Sequence, residues 1–149
     1  AEAIRALSQH QQILKNKTAV MTPHKEEFRI LTSETITDNV ADRKIKVKKW
    51  AQKLHTVILL KGHMDVISDG KKTVINKTGS PYMTKGGFGD TLAGVCGALL
   101  ARNIDPFESA VAAAFINGKA GELAAQKYGE SVLASDVFDF IPQVIKKFA

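Results

Sequence analysis

The residue pattern predicts an α/β fold in a single domain, on three observations. Helical periodicities alternate along the chain with short β-prone apolar runs. One of these runs, Thr56-Val57-Ile58-Leu59-Leu60, is apolar almost throughout, as a strand buried on both faces of a parallel sheet must be. The 149 residues, 44% of them hydrophobic, suffice for one core, since single domains usually hold roughly 100–150 residues.

Residues 2–15 carry Ile4, Leu7 and Ile13/Leu14 on one side of a predicted helix. Thr18-Ala19-Val20-Met21 is short, apolar and β-prone, and Pro23 ends it. Lys25 to Leu31 reads as a short helix with Phe28 and Leu31 inward. Asp38 or Asn39 caps a basic helix that runs to about Leu54 and buries Val47, Trp50 and Leu54. The apolar strand follows and Gly62 stops it. Asp65 to Ser68 and Lys71 to Ile75, joined by Asp69-Gly70, predict an antiparallel hairpin with a tight primed turn. From Asn76 the composition shifts to Gly, Ser, Pro and Thr, ending in Gly86-Gly87-Phe88-Gly89-Asp90 ahead of a helix rich in small residues. Asp105-Pro106 caps and opens a long helix that ends near Tyr128-Gly129. Ser135 is the expected cap of a final short helix pair broken at Pro142.

Composition removes several classes of function. No apolar run approaches the roughly 18–20 residues of a membrane helix, and no signal peptide is legible. The single cysteine, Cys96, cannot form an internal disulfide and fits a reducing, cytoplasmic setting. The net charge of +6 comes largely from residues 43–53. A nucleic-acid patch is one reading of that segment, but a solvated face opposite the Val47/Trp50/Leu54 stripe accounts for it, so neither a nucleic-acid nor a membrane partner is expected.

The glycine loop carries the clearest chemistry. Glycines leave backbone N–H groups unobstructed, and the positive end of a helix dipole lies behind them, so the loop is an anion cradle suited to phosphate. Asp90 could be a cap only. A carboxylate beside such a cradle can also take the proton of a substrate hydroxyl while the N–H groups hold the phosphoryl group moving to that oxygen. The loop lacks the Gly-Lys-Ser/Thr of a P-loop and the setting of a dinucleotide fingerprint.

The stretch from Asn76 to Gly94 resembles the signature of the ribokinase-like superfamily and, within it, the carbohydrate-kinase-related NAD(P)H-hydrate dehydratases. Thr22-Pro23-His24-Lys25-Glu26-Glu27-Phe28, Leu60-Lys61-Gly62-His63-Met64-Asp65-Val66-Ile67 and Leu133-Ala134-Ser135-Asp136 agree with it in order. The resemblance implies a three-layer αβα sheet. It implies dehydration of the S epimer of hydrated NADH or NADPH with ADP or ATP as phosphoryl donor: the hydroxyl is phosphorylated and lost as phosphate. Asp90 would then be the catalytic residue, and Gly87, Phe88 and Gly89 the anion hole. Lys61, Gly62, His63, Met64, Asp65 and Gly89 would contact the adenine nucleotide, and His24 and Asp90 the hydrated dinucleotide. Glu27 would hold Mg2+ through water near the phosphates, and the enzyme would be a homo-oligomer.

Lys25-Glu26, Lys85, Phe88, Asn117 and Glu122 depart from the family pattern. The signature is shared with kinases for hydroxymethylpyrimidine, hydroxyethylthiazole and pyridoxal, and His24 in Thr-Pro-His favours the dehydratase. A small-molecule kinase and a non-catalytic nucleotide-binding segment are the competing readings. An uncapped, Met-less start and a small sheet lead to the expectation that the chain is the C-terminal part of a larger domain, lacking an N-terminal portion.

Overall fold

The computed structural model describes residues 2–15 and 17–148; the expected helical start at Ala1 lies outside them. The chain divides into two compact units between Asn76 and Lys77. Among the described residues no helix is long and apolar enough to cross a membrane.

The first unit opens with α1 (Glu2–Gln9) and a 3-10 turn, Gln11–Leu14. The expected helix over 2–15 is thus interrupted at His10, and of its last two apolar residues only Leu14 turns inward, while Ile13 is 58% exposed. β1 (Val20–Met21), α2 (Lys25–Thr32), α3 (Val40–Leu54), β2 (Val57–Leu60), β3 (Asp65–Ser68) and β4 (Thr73–Asn76) follow. The strands form one sheet in the order β1-β2-β3-β4. β1 runs parallel to β2 in the register Val20↔Val57 and Met21↔Ile58, and the other pairs are antiparallel. All four residues of β2 are buried, as an apolar strand covered on both faces requires.

Asn39, not Asp38, caps α3: its Oδ1 accepts the N–H groups of Ala41 and Asp42. Val47, Trp50, Ala51 and Leu54 enter a core with Ile4, Phe28, Leu31, Ile58 and Leu60. Lys44 and Lys48 are exposed, and Lys46 pairs with Asp42 at 2.7 Å, so the basic face is largely a solvated one. The connection between β3 and β4 departs from the expected two-residue primed turn. Ser68 pairs with Thr73, leaving four residues outside the ladder. Of these only Gly70 has positive φ, because Asp69 Oδ1 accepts the Lys71 and Lys72 N–H groups and closes the turn with its side chain.

The second unit is helical: α4 (Phe88–Ala101), α5 (Pro106–Tyr128) and α6 (Ile141–Phe148). Asp105 Oδ1 accepts the N–H groups of Phe107 and Glu108, the cap that its sequence position predicts. Phe88, Ala120, Ala124, Val132, Val137 and Val144 form the core. The final segment differs from expectation in kind. A 3-10 turn, Ala134–Asp139, replaces the first helix of the pair, and its first turn is closed by Asp136, whose carboxylate accepts the Leu133 N–H at 2.7 Å, rather than by Ser135. The break expected at Pro142 falls just before it, between Asp139 and Ile141; Pro142 is the second residue of α6, where no N–H is needed.

Candidate active site

In the first unit, parallel pairing sets two predicted residues side by side. The ladder of β1 and β2 continues past the strands through the Lys61 N–H, which donates to the Pro23 carbonyl at 2.8 Å. His24 and Lys61 therefore leave the carboxyl ends of neighbouring parallel strands, the place where open α/β sheets bind ligands. His24 is also the N-cap of α2. Its ring Nδ1 accepts the Glu26 and Glu27 N–H groups at 3.2 Å, while Glu27 Oε2 accepts the His24 N–H at 2.7 Å, a reciprocal capping box. Lys61 Nζ lies 3.7 Å from the same Glu27 oxygen.

His24, Glu27 and Lys61 thus form one cluster, with Glu27 buried at its centre and the His24 side chain more than half exposed. Burial opposes charge on Glu27, yet the His24 N–H, the Lys61 ammonium and the His24 ring together hold its carboxyl below the ordinary value. It is an anion at neutral pH with one oxygen already engaged. No three His, Cys, Asp or Glu side chains come together as a metal centre among the described residues. A single carboxylate facing an ammonium fits magnesium only through water, with most ligands supplied by phosphates.

The loop from Lys61 to Asp65 is held from beneath by a residue that sequence patterning had left among surface lysines. Arg43 of α3 is 8% exposed. Its Nη2 donates to the carbonyls of Leu60 and Lys61 at 3.5 and 3.3 Å, and a Cβ at position 62 would lie 2.5 Å from that nitrogen. Gly62 is the residue that lets the guanidinium lie under the loop. Asp65 closes the loop from the other side: Oδ1 accepts the Gly62 N–H at 3.0 Å and Oδ2 accepts Asn76 Nδ2 at 3.0 Å. Burial pushes the Asp65 carboxyl up against the opposing effects of Asn76, Gly62, Arg43 and Lys61. Asp65 is thereby occupied in shaping the loop, and Asn76 closes the hairpin. A small pocket of about 200 Å³ opens beside the loop, lined by Lys25, Asp38, Arg43, Lys61, His63 and Met64 among others.

In the second unit, Gly87 is the N-cap of α4 with φ of 93° and brings no side chain to the helix end. That conformation is strained for any residue with a Cβ, and a Cβ there would also lie 2.8 Å from the Ala134 Cβ. The N–H groups of Asp90 and Thr91 are engaged by the Gly87 carbonyl. The preceding N–H groups stand at the helix start, where no intrahelical acceptor exists. Asp90, in the first turn, is exposed.

Asp90, Gly94 and Ala98 lie at four-residue spacing on one wall of a cleft of about 570 Å³, with Phe138 and Ile141 among its other lining residues. The cleft is nearly all apolar apart from Asp90, Thr91 and Ser135, and its size suits a small-molecule ligand. Phe138 and Ile141 carried no functional signal in the sequence. Gly94 and Ala98, part of the stretch rich in small residues, carried none either, yet they line the cleft.

The family model described as NAD(P)H-hydrate dehydratase matches residues 1–143. The chain is 44% identical over 135 residues to the ADP-dependent (S)-NAD(P)H-hydrate dehydratase of Cenarchaeum symbiosum, covering 91% of this chain and 47% of that protein. Against the bifunctional NAD(P)H-hydrate repair enzyme of Pyrobaculum aerophilum it is 43% identical, over 100% of this chain and 29% of the relative. A crystal structure of the ADP/ATP-dependent NAD(P)H-hydrate dehydratase of Bacillus subtilis, co-crystallised with ATP and Mg2+, superposes with a TM-score of 0.81 at 33% identity, covering 89% of this chain and 48% of that one. A ribokinase-like superfamily protein of Enterococcus faecalis superposes over the whole chain with a TM-score of 0.80 at 28% identity, covering 51% of its own length. The chain thus spans about half or less of the length of these relatives, its α/β fold is the ribokinase-like one, and it belongs to the NAD(P)H-hydrate dehydratase family.

Proposed function

We propose that the protein dehydrates (S)-NAD(P)H hydrate at the expense of ADP or ATP, restoring NADH or NADPH. The observation that carries this reading is the glycine-capped start of α4 with Asp90 exposed in its first turn. Asp90 takes the proton of the substrate hydroxyl as that oxygen forms a bond to the terminal phosphorus and the phosphoanhydride bond breaks. The N–H groups of Gly87, Phe88 and Gly89 face the charge that develops on the phosphoryl oxygens. Phosphate then departs with the carbon–oxygen bonding pair, and loss of a proton from the neighbouring carbon restores the ring.

In the first unit, the Lys61–Asp65 loop binds the adenine nucleotide, with Lys61 offering charge and the backbone offering donors. His24 contacts the hydrated dinucleotide. Mg2+ carried by the nucleotide would screen phosphate charge, with Glu27 as its water-mediated protein partner.

The test is recovery of dihydronicotinamide absorbance from hydrated NADH with ADP or ATP and magnesium, using the full-length protein. Asp90→Ala should lower kcat by about 10²-fold or more while nucleotide affinity stays within a few fold. Phosphorylation of a vitamin precursor with no recovery of NADH would replace this reading by a kinase. Turnover that survives Asp90→Ala would remove Asp90 from the mechanism.

A further inference from the structure

Lys85 and Glu122, to which the functional reading gives no part in binding nucleotide or substrate, both act on the segment that leads into the glycine loop. Glu122 Oε1 accepts the Gly79 N–H at 3.0 Å, while its Oε2 is held by Lys119 Nζ at 2.7 Å. One turn of α5 earlier, the Thr78 hydroxyl donates toward the carbonyls of Ala114 and Phe115, and a Cβ at Gly118 would lie 2.0 Å from that oxygen. Met83 lies over Gly121 in the same way, its Sδ 2.2 Å from where a Cβ would stand. Thr78 and Met83 are thus laid directly on the α5 backbone, in space that two glycines leave open.

At the other end of the segment, Lys85 Nζ donates to the carbonyls of Glu130 and Val132, the latter at 3.3 Å. Gly86 follows, and Gly87 then abuts Ala134. The glycine loop therefore begins one residue after a cationic anchor and touches the 3-10 turn just beyond that anchor's acceptors.

We propose that Glu122 and Lys85 are positioning residues: they clamp residues 79–85 onto α5 and the 130–132 turn, and so fix the Gly86–Asp90 loop in its anion-binding shape. The proposal rests on the functional reading for the loop's task, but not for its geometry. A preorganised cradle stabilises developing charge without reorganising at the moment of reaction, so a loosened one lowers turnover more than ground-state binding.

Amide hydrogen exchange in the full-length protein tests this without substrate. The reporters are Met83, Thr84, Asp90 and Thr91, whose N–H groups are bonded in the structure but touch neither substituted side chain. Lys85→Met and Glu122→Met should raise exchange at Asp90 and Thr91 about tenfold and leave α2 and α3 unchanged. Lys85→Arg and Glu122→Gln, which keep a donor and an acceptor respectively, should restore most of the protection. In steady-state assays the Met variants should lower kcat about tenfold with nucleotide KM within twofold. Unchanged exchange at Asp90 and Thr91, or an increase spread evenly over α4, α5 and α6, overturns the proposal. If the unsubstituted protein fails to dehydrate hydrated NADH, the functional reading falls, while the exchange result still decides the clamp.

Discussion

The contact between Arg43 and Gly62 yields a prediction whose sign depends on the background in which it is measured. Gly62 does not adopt positive φ, so Gly62→Ala would ordinarily stabilise by about 0.4–1 kcal/mol through the unfolded chain. Here the new methyl would lie 2.5, 2.9 and 3.0 Å from Nη2, Nη1 and Cζ of Arg43. The guanidinium is buried and bonded to two carbonyls, so it cannot swing away without giving up both bonds. Overpacking of this kind costs about 1–3 kcal/mol. The net loss is about 1–2 kcal/mol, or roughly 2–8 °C of melting temperature for a chain of this size. In an Arg43→Ala background the obstacle is gone, and the same substitution should stabilise by about 0.4–1 kcal/mol. Urea unfolding of the four proteins in the cycle should give a coupling near 2 kcal/mol. Effects that add to within about 0.5 kcal/mol would refute the placement of Arg43 under the loop.

Three further variants probe the two units. Gly87→Ala forces φ of 93° on a residue with a Cβ and drives it against Ala134; it should destabilise by about 1–2 kcal/mol and abolish most turnover. Gly86→Ala meets nothing within 4 Å and should leave thermal melting unchanged. Glu27 has its carboxyl held below the ordinary 4.5 in the folded state, so its contribution to stability is present above that pH and lost as pH falls through the folded value. Glu27→Gln should therefore melt at a lower temperature than the parent at neutral pH, and the gap should narrow on acidification below pH 4.5.

Much of this was legible in the residue pattern, and the exceptions share a cause. Val47, Trp50 and Leu54 are buried because helical spacing aligns them, and β2 is buried because nothing polar interrupts Val57–Leu60. The glycine loop was readable because its chemistry lies in consecutive residues. Arg43 was not, since its partners are backbone carbonyls 17 and 18 residues away, and no periodicity distinguishes a buried arginine among lysines. The hairpin turn was misjudged because Asp69 closes it with a side chain, a choice the Asp-Gly pair leaves open. The capping box at His24 had a visible sign, glutamate three residues on, but histidine in place of serine or threonine hid it. Phe138 reaches the cleft from a 3-10 turn where a helix was expected, and Ile141 from the start of the helix that follows that turn, so their direction could not be read from one continuous helical spacing.

The cap made by His24 also decides which hydrogen that ring carries. With Nδ1 accepting two backbone N–H groups, the neutral imidazole must bear its proton on Nε2. That nitrogen is 3.6 Å from Glu27 Oε2, beyond a good hydrogen bond, so its N–H remains available to an incoming group. The ring can donate outward but has no lone pair to offer there. It would accommodate an oxygen acceptor, a hydroxyl oxygen included, rather than a group that can only donate, and this polarity is set by the first turn of α2, before any ligand arrives.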